Sequence, residues 1–142
     1  MNYKFNLIRI VSKIHGYLYR VSRGRVGGRF FGIKILLLTT IGHKSGRKRS
    51  VPLAAIPYCG NYLVVASFGG SPTHPAWLIN ITHNPIVDIR VGTITKQGIT
   101  SIINSTDSEY MMMWSKAVKL TGSFDNYRKA TSRKIPIVLI NT

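Results

Sequence analysis

Three short apolar segments follow one another in the middle of the chain, separated only by turn residues. They span 35–41, 51–58 and 62–67 and are rich in the β-branched and aromatic residues that favour strands. Cys59, Gly60 and Asn61 form a tight turn between the second and third segments. Strands joined by turns this short pair in antiparallel order, so the sequence predicts an antiparallel sheet.

Helical patterns surround these strands. Apolar residues recur at helical spacing from about residue 3 to 20, with basic residues on another face, which predicts an N-terminal amphipathic helix. A short helix is expected between Pro75 and Asn84, and a longer one should begin at a capping box of Thr106 and Glu109. The sequence therefore predicts a single α+β domain over 1–142: a small antiparallel β-barrel with helices packed outside.

The chain is strongly basic. Twenty Lys and Arg face four acidic residues, giving a formal net charge of +16. A charge this large repels itself in a folded domain, so it favours an anionic partner: nucleic acid, a membrane surface or an anionic small molecule. A highly soluble basic protein with no specific anion is the alternative. The sequence contains no helix-turn-helix or RNA-binding signature, so no nucleic-acid partner is expected.

Cysteine and histidine usage argue against disulfides and metal sites. The single cysteine, Cys59, allows neither an internal disulfide nor a cysteine cage, and the four histidines lack ligand spacing, so no metal is expected. Arg9 and Lys13 interrupt the N-terminal segment where a signal peptide needs an uncharged core. The longest apolar run contains Lys34 and is too short to span a bilayer. We therefore expect a cytoplasmic protein.

The loop that follows the first strand is the most informative segment. It spans residues 42–50, carries Lys44, Arg47, Lys48 and Arg49, and is called the basic loop below. Its glycines let the backbone approach an anion closely, while Lys and Arg supply charge and donors for phosphate oxygens. The ending of a Walker loop is missing. From spacing alone, this segment is either a phosphate-binding loop or a solvated charged hairpin.

A second candidate segment spans 67–77, where a glycine pair ends a strand and an aromatic residue opens a helix. Such a segment can form one wall of a flat pocket, with helix amides facing an anion. Trp77 is equally well explained as a core residue. Ser67 has no evident His and Asp partners for a hydrolase triad.

These segments together resemble the deazaflavin-dependent nitroreductase family. Residues 36–49, Leu-Leu-Leu-Thr-Thr-Ile-Gly-His-Lys-Ser-Gly-Arg-Lys-Arg, match the family's Leu-Leu-Thr-Thr-x-Gly-x-Lys-Ser-Gly-x-x-Arg stretch. The match continues through 51–53, 66–67, 69–70, 74–77, Asn80 and 84–85, ends with Tyr127, Arg133 and 135–138, and includes a lead-in at 24–29. The resemblance thus covers nearly the whole chain.

The resemblance implies a split β-barrel related to FMN-binding oxidoreductases, with coenzyme F420 as cofactor and FMN as the alternative. F420 carries a phosphate and a glutamate tail, which suits a cationic host. The resemblance assigns His43, Lys44, Ser45 and Arg49 to the phosphate region, Ser50, Val51, Pro52, Leu53 and Ala54 to the strand lining the deazaflavin, and Val65, Ala66, Ser67, Phe68, Ala76, Trp77, Leu78, Ile79, Asn80 and Phe124 to the rest of the pocket.

The implied activity is hydride transfer from reduced F420 to a small acceptor, a quinone, nitroaromatic or enone, with Ser67 as the candidate catalytic residue. Phe68 replaces a polar residue of the well-known nitroreductases, and Ala54, Thr121 and Phe124 replace tyrosines. These departures argue against nitro-drug reduction and leave open a branch that uses quinones or binds an apolar molecule such as a fatty acid. A non-catalytic carrier of a flavin or a fatty acid on the same fold is the alternative.

The N-terminal helix allows two interpretations. Its apolar face either packs on the barrel or lies on an anionic lipid surface at the inner face of the cell membrane. The basic residues available for lipid contact are Lys4, Arg9, Lys13, Arg20, Arg23 and Arg25. Either way, the barrel itself stays in the cytoplasm in this prediction.

Overall fold

The computed structural model describes residues 3–21, 29–30 and 32–142, with side chains described for 6–18 and 32–142. Eight strands and four helices lie in these residues. They are α1 (Tyr3–Val21), β1 (Arg29–Phe30), β2 (Ile33–Ile41), β3 (Lys48–Ala54), β4 (Ile56–Tyr58), β5 (Asn61–Val65), α2 (Ala76–His83), β6 (Ile86–Val91), β7 (Ile94–Ile103), α3 (Tyr110–Leu120), α4 (Ser123–Lys129) and β8 (Ile137–Asn141). The lead-in at 24–29 falls largely outside the described residues.

All strand pairs are antiparallel. The sheet runs β3-β2-β6-β7-β8-β5-β4, and the short β1 pairs with the start of β2. Its two end strands, β3 and β4, are joined in the chain by Ala55 alone, so the sheet curls on itself. Among the described strands, β3 does not pair with β4 or β5, so the barrel stays open at this point. This confirms the predicted α+β fold with an open, antiparallel barrel.

Two hydrophobic cores fill and support the barrel. In β2, Leu36 and Leu38 are fully buried in the first core, because alternate residues of a strand face the same side. Trp77 and Leu78 of α2 complete that core. The second core lies under α3 and α4 and contains Trp114.

Helix α1 packs on the outer face of β2 and β3. A Cβ on Gly16 would lie 3.5 Å from Pro52 Cδ and 3.6 Å from Leu37 Cδ1, ordinary contact distances. The inner side of α1 therefore meets the barrel at Gly16. The apolar stripe that includes Leu7, Ile10 and Ile14 is more than half exposed.

The predicted single strand over 51–58 is two strands. The chain changes partner at Ala55, whose N–H donates to the Lys34 carbonyl at 2.8 Å, so β3 pairs with β2 and β4 pairs with β5. The predicted hairpin is confirmed at the second of these pairs: Tyr58 faces Asn61 across a two-residue turn. Both turn residues, Cys59 and Gly60, have positive φ, as a type I′ turn requires.

The predicted capping box is wrong. Helix α3 begins at Tyr110, and Glu109, which directly precedes it, makes no side-chain cap. Asp107 instead accepts a hydrogen bond from the Asn104 backbone at 2.7 Å, which forms a separate polar turn before the helix. Helix α4 was not predicted, because seven mostly polar residues show no clear periodicity.

Candidate functional site

The basic loop is a compact turn closed by its own backbone. The Gly42 N–H donates to the Arg47 carbonyl and the Gly46 N–H to the Gly42 carbonyl, both at 2.8 Å. Ser45 Oγ accepts from the Arg47 N–H at 3.2 Å. A Cβ on Gly42 would lie 2.5 Å from Ser45 Oγ and 3.3 Å from the Arg47 carbonyl oxygen, so a larger residue there would displace the Ser45 side chain. The Ser45 hydroxyl proton stays available to a ligand.

The loop presents positive charge that the fold does not neutralise. Lys44, Arg47 and Arg49 are exposed. Lys48 lies 3.4 Å from Asp88. No carboxylate of the described chain pairs with the other three cations. They are therefore free to bind an anion.

Asn80 of α2 anchors the loop to the barrel. Its side chain is buried, donates to Thr40 Oγ1 at 3.0 Å and accepts from the His43 backbone N–H at 3.1 Å. Asn80 Oδ1 also lies 3.0 Å from His43 Nδ1. A carbonyl oxygen carries no proton, so His43 Nδ1 is the donor of this bond. The ring of His43 stacks on His83 at 4.9 Å, so His43 serves to hold the loop.

Strand β3 continues from the loop and has one open edge. It pairs with β2 along its whole length and with no other strand of the described residues. Val51 and Leu53 pack against the first core, and Ser50 Oγ lies 2.8 Å from Thr39 Oγ1. Backbone groups on the open edge are thus available beside the cations of the loop.

Ser67 lies where β5 ends and the chain turns. Its residue is 7% exposed, yet its Oγ makes no hydrogen bond within the described part of the chain. Phe68 follows with φ +43°, a conformation that is uncommon for a bulky residue. The Arg9 guanidinium of α1 lies 5.4 Å from the centre of the Phe68 ring. A residue with an unpaired hydroxyl is therefore followed directly in the chain by an aromatic residue in a strained turn.

The first residues of α2 lie partly in the first core and partly at the surface. Trp77 and Leu78 are buried, while Ala76 and Ile79 are exposed. An open groove of about 630 Å³ runs along α2, and Ile79, His74 and residues of 102–106 contribute to its walls. The interpretation of Trp77 as a core residue is confirmed by its place in the first core.

The structure brings most of the predicted site residues together and leaves some apart. Val51, Leu53, Ala66 and Trp77 share the first core, so β3, the end of β5 and the start of α2 converge. Val65 and Ala54 belong to the second core, as does Phe124. Phe124 packs edge-on against Trp114 at 6.5 Å and against Tyr127 at 6.3 Å. Its assigned contact with a cofactor stays a prediction.

Arg133 was part of the family resemblance in the sequence, but no role followed for it. The side chain reaches three backbone carbonyls and His74, all at least 59 residues away in the chain. Burial lowers the pKa of His74, and the nearby charge of Arg133 lowers it further. Contacts this distant in sequence leave no local pattern.

Comparison with known proteins identifies the family. The model of a family described as F420H(2)-dependent quinone reductase matches residues 11–142. The chain belongs to this family. The match confirms the expected class, an F420-dependent oxidoreductase.

Individual relatives agree with the family. An F420H(2)-dependent quinone reductase of Mycobacterium tuberculosis is 35% identical over 131 residues, which cover 90% of this chain and 87% of the relative. A solved F420-H2 dependent reductase is 36% identical, covers 75% of this chain and 93% of its own, and superposes with a TM-score of 0.66. A structure described as a domain-swapped dimer is 31% identical, with a TM-score of 0.71 and coverage of 90% and 96%.

Proposed function

We propose that this protein binds coenzyme F420 beside the basic loop and reduces a quinone with it. The observation that carries this proposal is the set of unneutralised cations, Lys44, Arg47 and Arg49, at the end of a strand whose other edge is open. The cations suit the phosphate of an anionic cofactor, and the open edge of the strand suits its flat ring. When bound, F420 supplies a hydride to the acceptor.

The residues of the site have separable tasks in this proposal. Lys44, Ser45 and Arg49 hold the phosphate, with Arg47 as an additional cation. The backbone along the open edge of Ser50–Ala54 lines the ring. Ser67 Oγ, which has no partner in the described chain, donates a hydrogen bond to the cofactor or the acceptor. The protein thus orients donor and acceptor and excludes water from between them.

The surface next to Ser67 favours a flat, apolar acceptor. Phe68 offers an aromatic face there, already in contact with the charge of Arg9. Stacking against such a face suits a quinone ring. The family and the M. tuberculosis relative carry quinone reductase in their names, and the comparisons give the carrier alternative no support.

Reduced F420 should therefore be oxidised by menadione in the presence of this protein. We expect saturable turnover on the order of 1 s⁻¹ or faster. The rise in absorbance of oxidised F420 measures this rate. Fluorescence titration should give a lower Kd for F420 than for FMN. Saturable F420 binding without turnover on any of a panel of quinones and nitroaromatics would instead favour the carrier.

We propose in addition that α1 lies on an anionic lipid surface. The described residues include no helix with the length and apolarity needed to cross a bilayer. Leu7, Ile10 and Ile14 nevertheless expose 56–61% of their surface, and Arg9 and Lys13 lie exposed on the same helix. The side chains of Lys4, Arg20, Arg23 and Arg25 lie outside the described set. Each cation near an anionic leaflet contributes about 1 kcal/mol.

The protein should co-sediment with anionic vesicles at low salt, and less so at high salt. Replacing Ile10 and Ile14 by serine should reduce the bound fraction severalfold, because both side chains are already exposed and the fold does not depend on them. Met111 and Met112 of α3 are similarly exposed, so their serine double variant is the matched control. Equal losses in the two double variants, or no sedimentation at low salt, would contradict lipid contact through α1.

A further inference from the structure

The turn after Ser67 has an unfavourable backbone conformation. Phe68, Gly69 and Gly70 follow one another with φ of +43°, +61° and +79°. Glycine adopts this region readily, whereas an L-residue such as phenylalanine does so at a cost. A turn of this kind persists only where its surroundings fix it. Contacts at its two ends therefore decide where Ser67 and Phe68 lie.

Arg133 holds both ends of this turn. Its Nη2 donates to the Ser67 carbonyl at 2.7 Å and to the Ala66 carbonyl at 3.1 Å, on the side where the chain enters. Its Nε donates to the Ser71 carbonyl at 2.7 Å, on the side where the chain leaves. The planar fork of a guanidinium can reach three carbonyls at once, which the single ammonium of lysine cannot do in the same geometry.

The remaining contact of Arg133 completes the arrangement without an acidic partner. Nη1 lies 3.2 Å from His74 Nδ1, and no carboxylate of the described residues pairs with the guanidinium. Burial, and then the charge of Arg133, lower the pKa of His74. The imidazole is therefore neutral at neutral pH, and its Nδ1 accepts the bond. All four partners of Arg133 thus lie within residues 66–74.

We propose that Arg133 is a positioning residue, which acts on the bound cofactor and acceptor through Ser67 and touches neither. It binds the main chain of the turn and leaves the Ser67 hydroxyl unoccupied. This inference rests on the proposed F420 site.

The test is a double-mutant cycle between Arg133→Lys and Ser67→Ala, with F420 affinity as the first readout. Loss of the hydroxyl contact should raise the F420 Kd about 2- to 12-fold. Arg133→Lys should raise it by a similar factor, and the double variant should be no worse than the weaker-binding single variant, because both changes remove one contact. Arg128→Lys is the matched control, since Arg128 pairs with Asp125 at 3.2 Å and should leave the Kd unchanged.

Turnover with menadione gives the second readout. Arg133→Lys should lower kcat at least about tenfold, with less effect on the Kd, because the basic loop still supplies most of the affinity. Millimolar guanidinium should restore part of the kcat of Arg133→Ala. Additive effects in the cycle, unchanged constants in Arg133→Lys, or loss of folded protein in both Arg133 variants by circular dichroism would each overturn the inference. A parent protein that fails to bind F420 would instead refute the proposed function itself.

Discussion

Replacing Lys44 and Arg49 together by alanine should weaken F420 binding by about 2–6 kcal/mol, roughly 30-fold to 20,000-fold. Each cation contributes about 1–3 kcal/mol in a charge-assisted contact. Neither has an acidic partner within the described residues, so the anion is the partner that each would lose. Fluorescence titration of F420 against the parent, the two single variants and the double variant measures the effect.

The control for this experiment must remove the same charge elsewhere. Lys119 and Lys129 are exposed on α3 and α4, and their double alanine variant lowers the net charge equally. It should bind F420 almost as the parent does. The difference between the two double variants should shrink at high salt, because exposed charges are screened. Equal affinities in both would show that the basic loop does not hold the phosphate.

Replacing Gly70 by alanine should destabilise the protein by about 2–5 kcal/mol. An added Cβ would lie 2.9 Å from the Tyr127 carbonyl oxygen and 3.0 Å from Ala130 Cβ, so α4 would have to move away from the turn. The φ of +79° adds a further cost for any residue with a side chain. The estimate combines about 1–2 kcal/mol for the backbone with about 1–3 kcal/mol for overpacking. Urea unfolding followed by circular dichroism measures the change.

Gly60 separates these two contributions. Its φ is +78°, almost the same as that of Gly70, but an added Cβ would meet nothing within 4 Å. Gly60→Ala should therefore show only the backbone cost of about 1–2 kcal/mol. If the two variants lose equal stability, the close approach of α4 to the turn contributes nothing.

The strands of this fold were predictable because their signals are local. The apolar, β-branched composition of β2 indicates a strand, and the turn at Cys59–Gly60 specifies antiparallel partners from adjacent residues. The break at Ala55 was not predictable, because both halves of that segment have strand composition. What separates them is the choice of partner, which the barrel makes over a longer range.

The site was only partly predictable for a similar reason. The basic loop was predictable because its charges and glycines lie within a few residues of one another. Asn80 was expected to contact the cofactor, which stays a prediction. The bonds of its buried amide to Thr40 and His43 were not predictable from the sequence. Phe124 was also expected to contact the cofactor, which likewise stays a prediction. Its place in the second core was not predictable, because α4, which carries it, has no recognisable pattern in the sequence. Roles that depend on contacts between residues distant in the chain can be assigned only from the structure.

The anchoring of the basic loop by Asn80 has an entropic consequence. The bonds to Thr40 and His43 anchor the start of the loop when the protein folds, so the path of its backbone is set before a phosphate binds. A flexible loop would lose conformational entropy when it binds its ligand. Here that entropy is lost during folding, together with the entropy of the rest of the domain. Affinity for the anion is therefore coupled to the integrity of α2. A mutation that loosens this helix would weaken binding while leaving every cation in place.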